Sequence, residues 1–287
     1  MQTILTERIE ELRDDREHGG SWMARRAVEA LVEVAAGEFE STEELLDRLV
    51  GAGRELAAAR PAMGAIAGAV GRVLATAHVA SYLPVDELRR LVEEEVRGLI
   101  GSRDRAARAI AIHLAPLLQD ALVVTHSASA TVREAVTHTP PARLVCTVSA
   151  PVEEGRRFSE ELRETGLTVD LVEDGDAADA LEHASMLLVG ADTVFRDGAV
   201  RNKVGTRRLA RAAADRGVRT VVACEVIKLA PVEAPLEVEE QEHFDVTPAS
   251  DVDTIVTEEG PSPANEIRAL IDRTPFLRDG YRLLAAG

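Results

Sequence analysis

The chain has 287 residues and a formal net charge of −17, and 46% of its residues are hydrophobic but only 3% are aromatic. This length suits one large domain or two modest ones, and an aliphatic core fits helices on a parallel sheet better than a β-sandwich. The acidity argues against direct binding to nucleic acid or to an anionic membrane, because both require a basic surface.

The basic residues are almost all arginine, since lysine occurs only at Lys203 and Lys228. A strongly acidic, lysine-poor surface is typical of a protein that works in high salt, where carboxylate repulsion is screened. A halophilic, archaeal cytoplasm is therefore one interpretation, and a GC-rich genome that replaces lysine by arginine is the other.

Cysteine, histidine and hydropathy limit the class of protein further. The two cysteines, Cys146 and Cys224, exclude a disulfide framework and a cysteine-based zinc site, and the histidines show no metal-ligand spacing. We therefore expect no metal and no cofactor. No apolar run reaches the length of about 18 residues that a membrane-spanning helix needs, so we expect a soluble, cytoplasmic protein.

Residues 1–118 have the pattern of a helical domain. Apolar residues recur at helical spacing from Ile4 to Leu12, and no alternating strand pattern interrupts this half. The segment Ser41–Glu44 is a helix start, because a serine or threonine cap precedes acidic residues in the first turn.

Residues 119–287 have the pattern of an α/β domain. Short apolar runs alternate with helical patterns, which predicts βαβ units, a parallel sheet and right-handed crossovers. The predicted strands are 121–125, 143–148, 167–172, 186–189, 220–224 and 254–257. The predicted helices are 129–137, 154–165, 176–184, 202–216 and 265–272. The fold class is therefore α/β, with a helical N-terminal domain followed by a doubly wound parallel sheet.

Polar residues gather where the predicted strands end. Thr125–Ser129, Ser149–Pro151 and Gly190–Asp192 each follow an apolar run. Ligands of open parallel sheets bind beyond the carboxyl ends of the strands, and a helix N-terminus there favours an anion. The sequence therefore predicts an anion site at this edge. Thr125, Ser127 and Ser149 could equally cap a helix or a turn, and a turn cap is the weaker alternative for Asp192.

The segment from Gly190 to Thr206 is the most informative. Its sequence predicts that Asn202 and Lys203 open a helix, where an amide, an ammonium and free N–H groups could converge on a phosphate. Both lysines of the chain lie at or after the fourth and fifth strands, which favours a ligand role over chance placement.

Several segments together resemble one family, which contains the alpha, beta and delta subunits of translation initiation factor 2B, methylthioribose-1-phosphate isomerase and ribose-1,5-bisphosphate isomerase. The match covers nearly the whole chain. The most specific segments are Gly190–Asp192, Asn202–Thr206, Glu225–Lys228, Phe244–Pro248 and Thr257–Gly260, and Arg60-Pro61, Thr125-His126 and Pro151–Arg156 add weaker support.

The resemblance implies a Rossmann-like second domain, a homo-oligomer, a possible paralogous partner subunit, and a pocket for a phosphorylated sugar or nucleotide. In the isomerases a cysteine and an aspartate act as acid and base; the aspartate corresponds to Asp192, and the place of the cysteine is taken by Ser127. The ligand contacts that the resemblance implies are Gly19, Gly20, Arg60, Ser129, Ala130, Thr131, Asn202, Lys203 and Lys228.

Three departures from the isomerase pattern weaken the catalytic interpretation. Ser127 replaces the cysteine, and a serine hydroxyl is a far weaker acid than a thiol. Val148–Pro151 lacks the arginine of the Glu-Ser-Arg-Pro motif, and His18–Ser21 stands where the isomerases have Arg-Gly-Ala.

Our first hypothesis is a non-catalytic or regulatory relative of the initiation factor 2B subunits that binds a sugar phosphate or nucleotide. The alternatives are an aldose–ketose isomerase acting on a phosphorylated pentose such as ribose-1,5-bisphosphate, and a purely structural partner of a paralogue.

Overall fold

The structure, a computed structural model, describes residues 2–15, 18–236 and 241–285. The chain divides into two compact units. The first comprises residues 1–103, 227–231 and 270–287, and the second comprises residues 104–226 and 232–269. The domain boundary predicted after residue 118 stays a prediction.

Helices make up most of the first unit and flank the sheet in the second. The described residues contain α1 Gln2–Asp14, α2 Gly20–Ala35, α3 Thr42–Ala59, α4 Gly64–Val79, α5 Val85–Leu118, α6 Ala130–His138, α7 Glu154–Glu164, α8 Ala177–Ala180, α9 Thr206–Asp215, α10 Ile267–Asp272 and α11 Pro275–Ala285. The predicted start at Ser41 is confirmed, because the Ser41 hydroxyl accepts the Glu44 N–H at 3.2 Å. Within this described part of the chain, no helix combines the length and the apolarity needed to cross a membrane.

All the strands in the described part of the chain belong to the second unit. They are β1 Leu122–Thr125, β2 Arg143–Thr147, β3 Val169–Val172, β4 Met186–Val189, β5 Thr193–Val194, β6 Val200–Lys203, β7 Arg219–Ala223, β8 Phe244–Thr247, β9 Thr254–Thr257 and β10 Gly260–Pro263. The main sheet has the order β10-β9-β7-β4-β1-β2-β3, and only β10 is antiparallel to its neighbour. The predicted α/β class with a parallel sheet is confirmed.

Apolar residues cover the main sheet on both faces, which explains its near-continuous hydrophobic strands. Val123, Leu144 and Leu188 of the central strands are fully buried, together with Leu114 of α5 and Phe158 of α7. The order of the strands reverses at β1, which pairs with β2 on one side and β4 on the other. Such a switch point opens a crevice at the carboxyl ends of the strands.

The helix predicted over 202–216 is wrong in its first turn. Asn202 and Lys203 lie in β6, which pairs antiparallel with β5 and β8 in a separate three-stranded sheet. The helix α9 begins only at Thr206, after Gly205 adopts a φ of +102°. Pairing with Phe244–Thr247, about forty residues later, overrides the weak helical pattern of the segment.

The helix predicted as the last one is followed by another, α11, within the first unit. Glycines allow it to cross α4 closely: a Cβ on Gly280 would lie 2.4 Å from the backbone carbon of Gly71. In the same unit, a Cβ on Gly68 would lie 1.9 Å from the carbonyl oxygen of Ile227. The small residues of α4 therefore allow close packing within this unit.

Candidate functional site

A chain of hydrogen bonds joins the ends of β1 and β2 to the segment after β6. The Ser127 N–H donates to the Ser149 hydroxyl at 2.8 Å, and the hydroxyls of Ser149 and Thr147 lie 2.7 Å apart. The Thr147 hydroxyl lies 2.7 Å from His126 Nδ1, and His126 Nε2 lies 2.8 Å from the Val204 carbonyl oxygen. Because that carbonyl only accepts, His126 carries its proton on Nε2 and accepts from Thr147 on Nδ1.

The imidazole of His126 is neutral, and its hydrogen bonds hold the backbone at Val204 in place. His126 is 2% exposed. Burial lowers the pKa of His126 below its ordinary value, because the charged form loses its hydration. These hydrogen bonds therefore fix Ser127 relative to the segment that follows Lys203.

Ser127, Glu154 and Lys203 meet at the end of this chain. Ser127 has a φ of +67°, an uncommon conformation for a residue with a Cβ. Its hydroxyl donates to Glu154 Oε1 at 2.6 Å, and the Lys203 ammonium donates to Glu154 Oε2 at 3.0 Å. The Lys203 side chain is 8% exposed, so protein groups such as Glu154, rather than bulk water, surround its ammonium.

Two further predicted segments meet at the switch point between β1 and β4. Gly190 follows β4 and packs against Ser129, since a Cβ at Gly190 would lie 2.6 Å from the Ser129 hydroxyl oxygen. Ser129 caps α6 by accepting the Val132 N–H at 3.3 Å. Ala130 and Thr131 form the first turn of this helix, where N–H groups have no acceptor within the helix.

Asp192 directly precedes β5, and Asn202 lies in β6 of the three-stranded sheet. The Asp192 N–H donates to the Arg201 carbonyl at 2.9 Å, which places Asp192 beside β6, and its side chain is partly exposed. The Asn202 amide donates to the Thr206 hydroxyl at 3.0 Å, and that hydroxyl donates to the Lys203 carbonyl at 2.6 Å. Asn202 thus helps to hold the turn between Lys203 and α9.

Asp245 holds the same turn from β8. Its carboxylate accepts the Gly205 N–H at 2.7 Å and the Arg207 N–H at 3.2 Å, so it caps α9. Burial raises the pKa of Asp245 to about 6, and the two backbone donors offset only part of this effect. Lys203 is therefore positioned on one side by the β6 ladder and on the other by this capped turn.

A cavity of about 680 Å³ opens beside the turn. His126 and Gly205 are among the described residues that line it, whereas Asp192, Ser127 and Lys203 are not. Its walls carry both signs of charge, from Arg207 and Arg211 and from Asp174 and Asp245.

Four predicted ligand residues belong to the first unit. Gly19 is the N-cap of α2 and Gly20 is its first residue, with space for a Cβ only at contact distance from Ala65. Arg60 is 4% exposed, and its guanidinium donates to the Asp15 carbonyl at 2.6 Å. Lys228 is 7% exposed and ends a short 3₁₀ turn. Their ligand roles stay predictions.

The sequence reasoning missed three acidic residues of this region. They are Glu154, Asp174, which accepts the Ser149 and Ala150 N–H groups at 2.7 and 2.8 Å, and Asp245. Glu154 and Asp245 lie inside segments that carry the family resemblance, which was an available signal. Cys146 is a buried thiol whose pKa burial raises to about 12, in agreement with an inert core residue. Cys224, predicted inside a strand, follows β7 directly and is also buried.

Comparisons with known proteins agree with this architecture. The protein named eIF-2B subunit 2-like from Pyrococcus horikoshii is 28% identical over 274 residues, which cover 89% of this chain and 95% of that protein. The ribose 1,5-bisphosphate isomerase of Archaeoglobus fulgidus is 29% identical over 290 residues, covering 92% of this chain and 90% of that one.

A solved structure and a family model also match this chain. The translation initiation factor eIF-2B of Pyrococcus horikoshii OT3 superposes with a TM-score of 0.77 at 26% identity, covering 90% of this chain and 96% of that one. The model of the initiation factor 2 subunit family matches residues 16–242, most of the chain. The resemblance read from the sequence is thereby confirmed, and this chain belongs to the initiation factor 2 subunit family.

Proposed function

We propose that the chain binds a phosphorylated sugar or nucleotide and does not turn it over, as a regulatory relative of the initiation factor 2B subunits. The observation that carries this proposal is the environment of Lys203. One of only two lysines in a chain of net charge −17 is buried at the edge of the sheet where ligands of this fold class bind. An ammonium in such a place favours an anionic group.

Neighbouring groups support a phosphate in particular. The first turn of α6, at Ala130 and Thr131, offers N–H donors and the positive end of the helix dipole at the switch point. Ser127 and Ser129 add hydroxyl groups close to it. Together these donors match the oxygens of a phosphate ester better than a single carboxylate.

The same geometry argues against catalysis by the isomerase route. By the resemblance, Ser127 takes the place of the isomerases' cysteine, and its hydroxyl donates a hydrogen bond to Glu154. A serine hydroxyl cannot exchange a proton near neutral pH as a thiol does. Phosphate positioning is also weaker without the two arginine-bearing elements that the isomerases carry.

The second candidate is a sugar-phosphate isomerase acting on ribose 1,5-bisphosphate. Two points favour it: the resemblance assigns Asp192 to the place of the isomerases' aspartate, and a relative that is 29% identical has this activity as its name. In this alternative Asp192 transfers the proton, and Ser127 or a water replaces the thiol.

One set of measurements separates the candidates. Binding of ribose 1,5-bisphosphate and of nucleoside monophosphates is measured by calorimetry in molar potassium chloride, and turnover of the bisphosphate is followed in parallel. We expect binding without turnover. Lys203→Ala should weaken binding about ten- to hundredfold, since it removes a charge-assisted hydrogen bond of about 1.5–3 kcal/mol.

Asp192→Asn decides between binder and enzyme. It keeps the size of the side chain but cannot exchange a proton near neutral pH. Wild-type turnover that falls by about 10²- to 10⁴-fold in this variant, with binding kept within about tenfold, would establish the isomerase. Absence of any ligand-induced stabilisation would instead favour the purely structural partner.

We also propose that the chain forms a homo-oligomer, as is common for soluble proteins with closed symmetry. Light scattering in molar salt should show a dimer or a larger species. A monomer at all concentrations would contradict this proposal. Association only with a paralogous chain would indicate a hetero-oligomer instead.

A further inference from the structure

Glu154 has a backbone position that leaves it little freedom. It is the first residue of α7, and the preceding Glu153 adopts a φ of +60°. The next residue, Gly155, lies directly on the end of β2, because a Cβ there would be 1.8 Å from the Thr147 carbonyl oxygen. The Gly155 N–H also donates to the Val148 carbonyl at 3.1 Å. Only the side chain of Glu154 can therefore move appreciably.

Both carboxylate oxygens of Glu154 are engaged by the groups proposed to receive a ligand. Oε1 accepts the Ser127 hydroxyl at 2.6 Å, and Oε2 accepts the Lys203 ammonium at 3.0 Å. One hydroxyl and one ammonium, each on a separate oxygen, are the donors that two oxygens of a phosphate would use. Glu154 therefore occupies the positions of an anion.

The charge of Glu154 opposes the binding of a phosphate at Lys203. The pair of Glu154 and Lys203 is neutral, so an approaching phosphate meets no net positive charge at this point. A phosphate that reached Lys203 with Glu154 still in place would bring two anionic groups together, which is unfavourable at short range. The Glu154 side chain is 24% exposed, against 8% for Lys203, so it has a path outward when the contact is released.

We propose that Glu154 is an intramolecular competitor for the anion, so that a phosphate contacts Lys203 and Ser127 only after the Glu154 carboxylate leaves them. This inference rests on the proposed function, since it assumes that Lys203 receives the phosphate. It adds that the wild type binds a phosphate more weakly than Lys203 and Ser127 would bind it without the competing carboxylate. The chain then responds only to ligands whose remaining groups compensate for the displacement.

Glu154→Gln tests the competition. The amide keeps the size of the side chain and can still accept from Ser127, but it no longer holds the ammonium by charge. Calorimetry with ribose 1,5-bisphosphate and with inorganic phosphate should show binding at least about tenfold tighter than in the wild type. Adding Lys203→Ala to Glu154→Gln should remove the gain. The matched control is Glu153→Gln, which makes the same charge change one residue earlier in a side chain paired with Arg156, and it should leave affinity within about twofold.

The outcomes separate this inference from the function on which it rests. If the wild type binds in a Lys203-dependent way and Glu154→Gln binds equally or more weakly, the competition is refuted and the binding function stands. If neither the wild type nor any Glu154 variant binds either probe, both proposals fail. Glu154→Asp provides a second variant should the glutamine form fail to fold: it keeps the charge but is one methylene too short to reach both donors, and it should also bind more tightly than the wild type.

Discussion

Single hydroxyl groups decide how the ends of β1 and β2 are held. Thr147 is 1% exposed and links His126 to Ser149, so the chain from Ser127 to Val204 depends on its hydroxyl. A buried polar group that loses its partner is costly, because neither water nor protein then satisfies it. These hydrogen bonds therefore contribute most through buried hydroxyl groups such as that of Thr147.

Thr147→Val should destabilise the protein by about 1–3 kcal/mol, since it removes the hydroxyl that donates to His126 Nδ1 at 2.7 Å and leaves the more distant Ser149 hydroxyl, at 3.5 Å, as the donor. Thr220→Val is the matched control: Thr220 is also 1% exposed, and its hydroxyl has no hydrogen bond to the described part of the chain. The control should be neutral or slightly stabilising. Urea unfolding in molar potassium chloride measures both, and equal effects of the two substitutions would contradict the proposed hydrogen-bond chain.

The sequence located the residues of the second unit's site better than it assigned their partners. Ser127 and Ser129 were predicted just after a strand, and the structure places them there, whereas Lys203 was predicted to open a helix and instead ends the strand β6. Glu154 was not identified, because an acidic residue at a helix start is ordinarily a cap, and nothing in the local pattern shows that it contacts Lys203, forty-nine residues later. Contacts of that separation depend on the tertiary fold and cannot be read from local spacing.

At the scale of elements, the parallel sheet was predictable and the small antiparallel sheet was not. Long apolar strands carry a clear period, so the predicted strands from β1 to β4, β7 and β9 agree with the structure. Val200–Lys203 carries a weak strand pattern and becomes a strand through its partners β5 and β8. The Asp197-Gly198 pair, where Gly198 has a φ of +84°, was the overlooked hairpin signal.

The crossing of α4 and α11 can be tested with two glycines. Gly280→Ala should destabilise the protein by about 1–3 kcal/mol, because the new methyl group meets the Gly71 backbone and the helices must separate. Gly98→Ala is the control, since Gly98 is exposed in α5 and nothing lies within 4 Å of its Cβ position. Higher helix propensity should make the control more stable by about 0.5–1 kcal/mol. Melting temperatures that shift in the same direction would contradict the close crossing.

For the whole molecule, charge is the dominant surface property. Some acidic side chains are paired: Arg8 donates to Glu33 at 2.7 Å and Arg26 to Glu11 at 2.9 Å. Such pairs contribute about 0.2–1 kcal/mol each at exposed sites, and salt weakens them. The repulsion that results from a net charge of −17 has the opposite salt dependence. Salt screens the unpaired carboxylates from one another and thereby stabilises the folded protein.

We expect the repulsion to dominate, so that the melting temperature rises as potassium chloride is increased from 0.1 M to above 1 M. The screening length falls over this range from about 10 Å to about 3 Å, which removes long-range repulsion before it disrupts contact pairs. Differential scanning calorimetry at a series of salt concentrations measures the effect. A melting temperature that stays flat or falls would favour the compositional explanation of the missing lysines over a halophilic one.

The burial of both lysines has a practical consequence for chemical labelling. Lys203 and Lys228 are each 7% exposed, and no other lysine exists in the chain. An amine-acylating reagent added to the native protein therefore finds both ε-amino groups shielded, and it reacts with each only when the surrounding structure opens. Because the two lysines lie in different units, peptide mass spectrometry of a timed acylation would record a separate opening rate for each unit from a single sample.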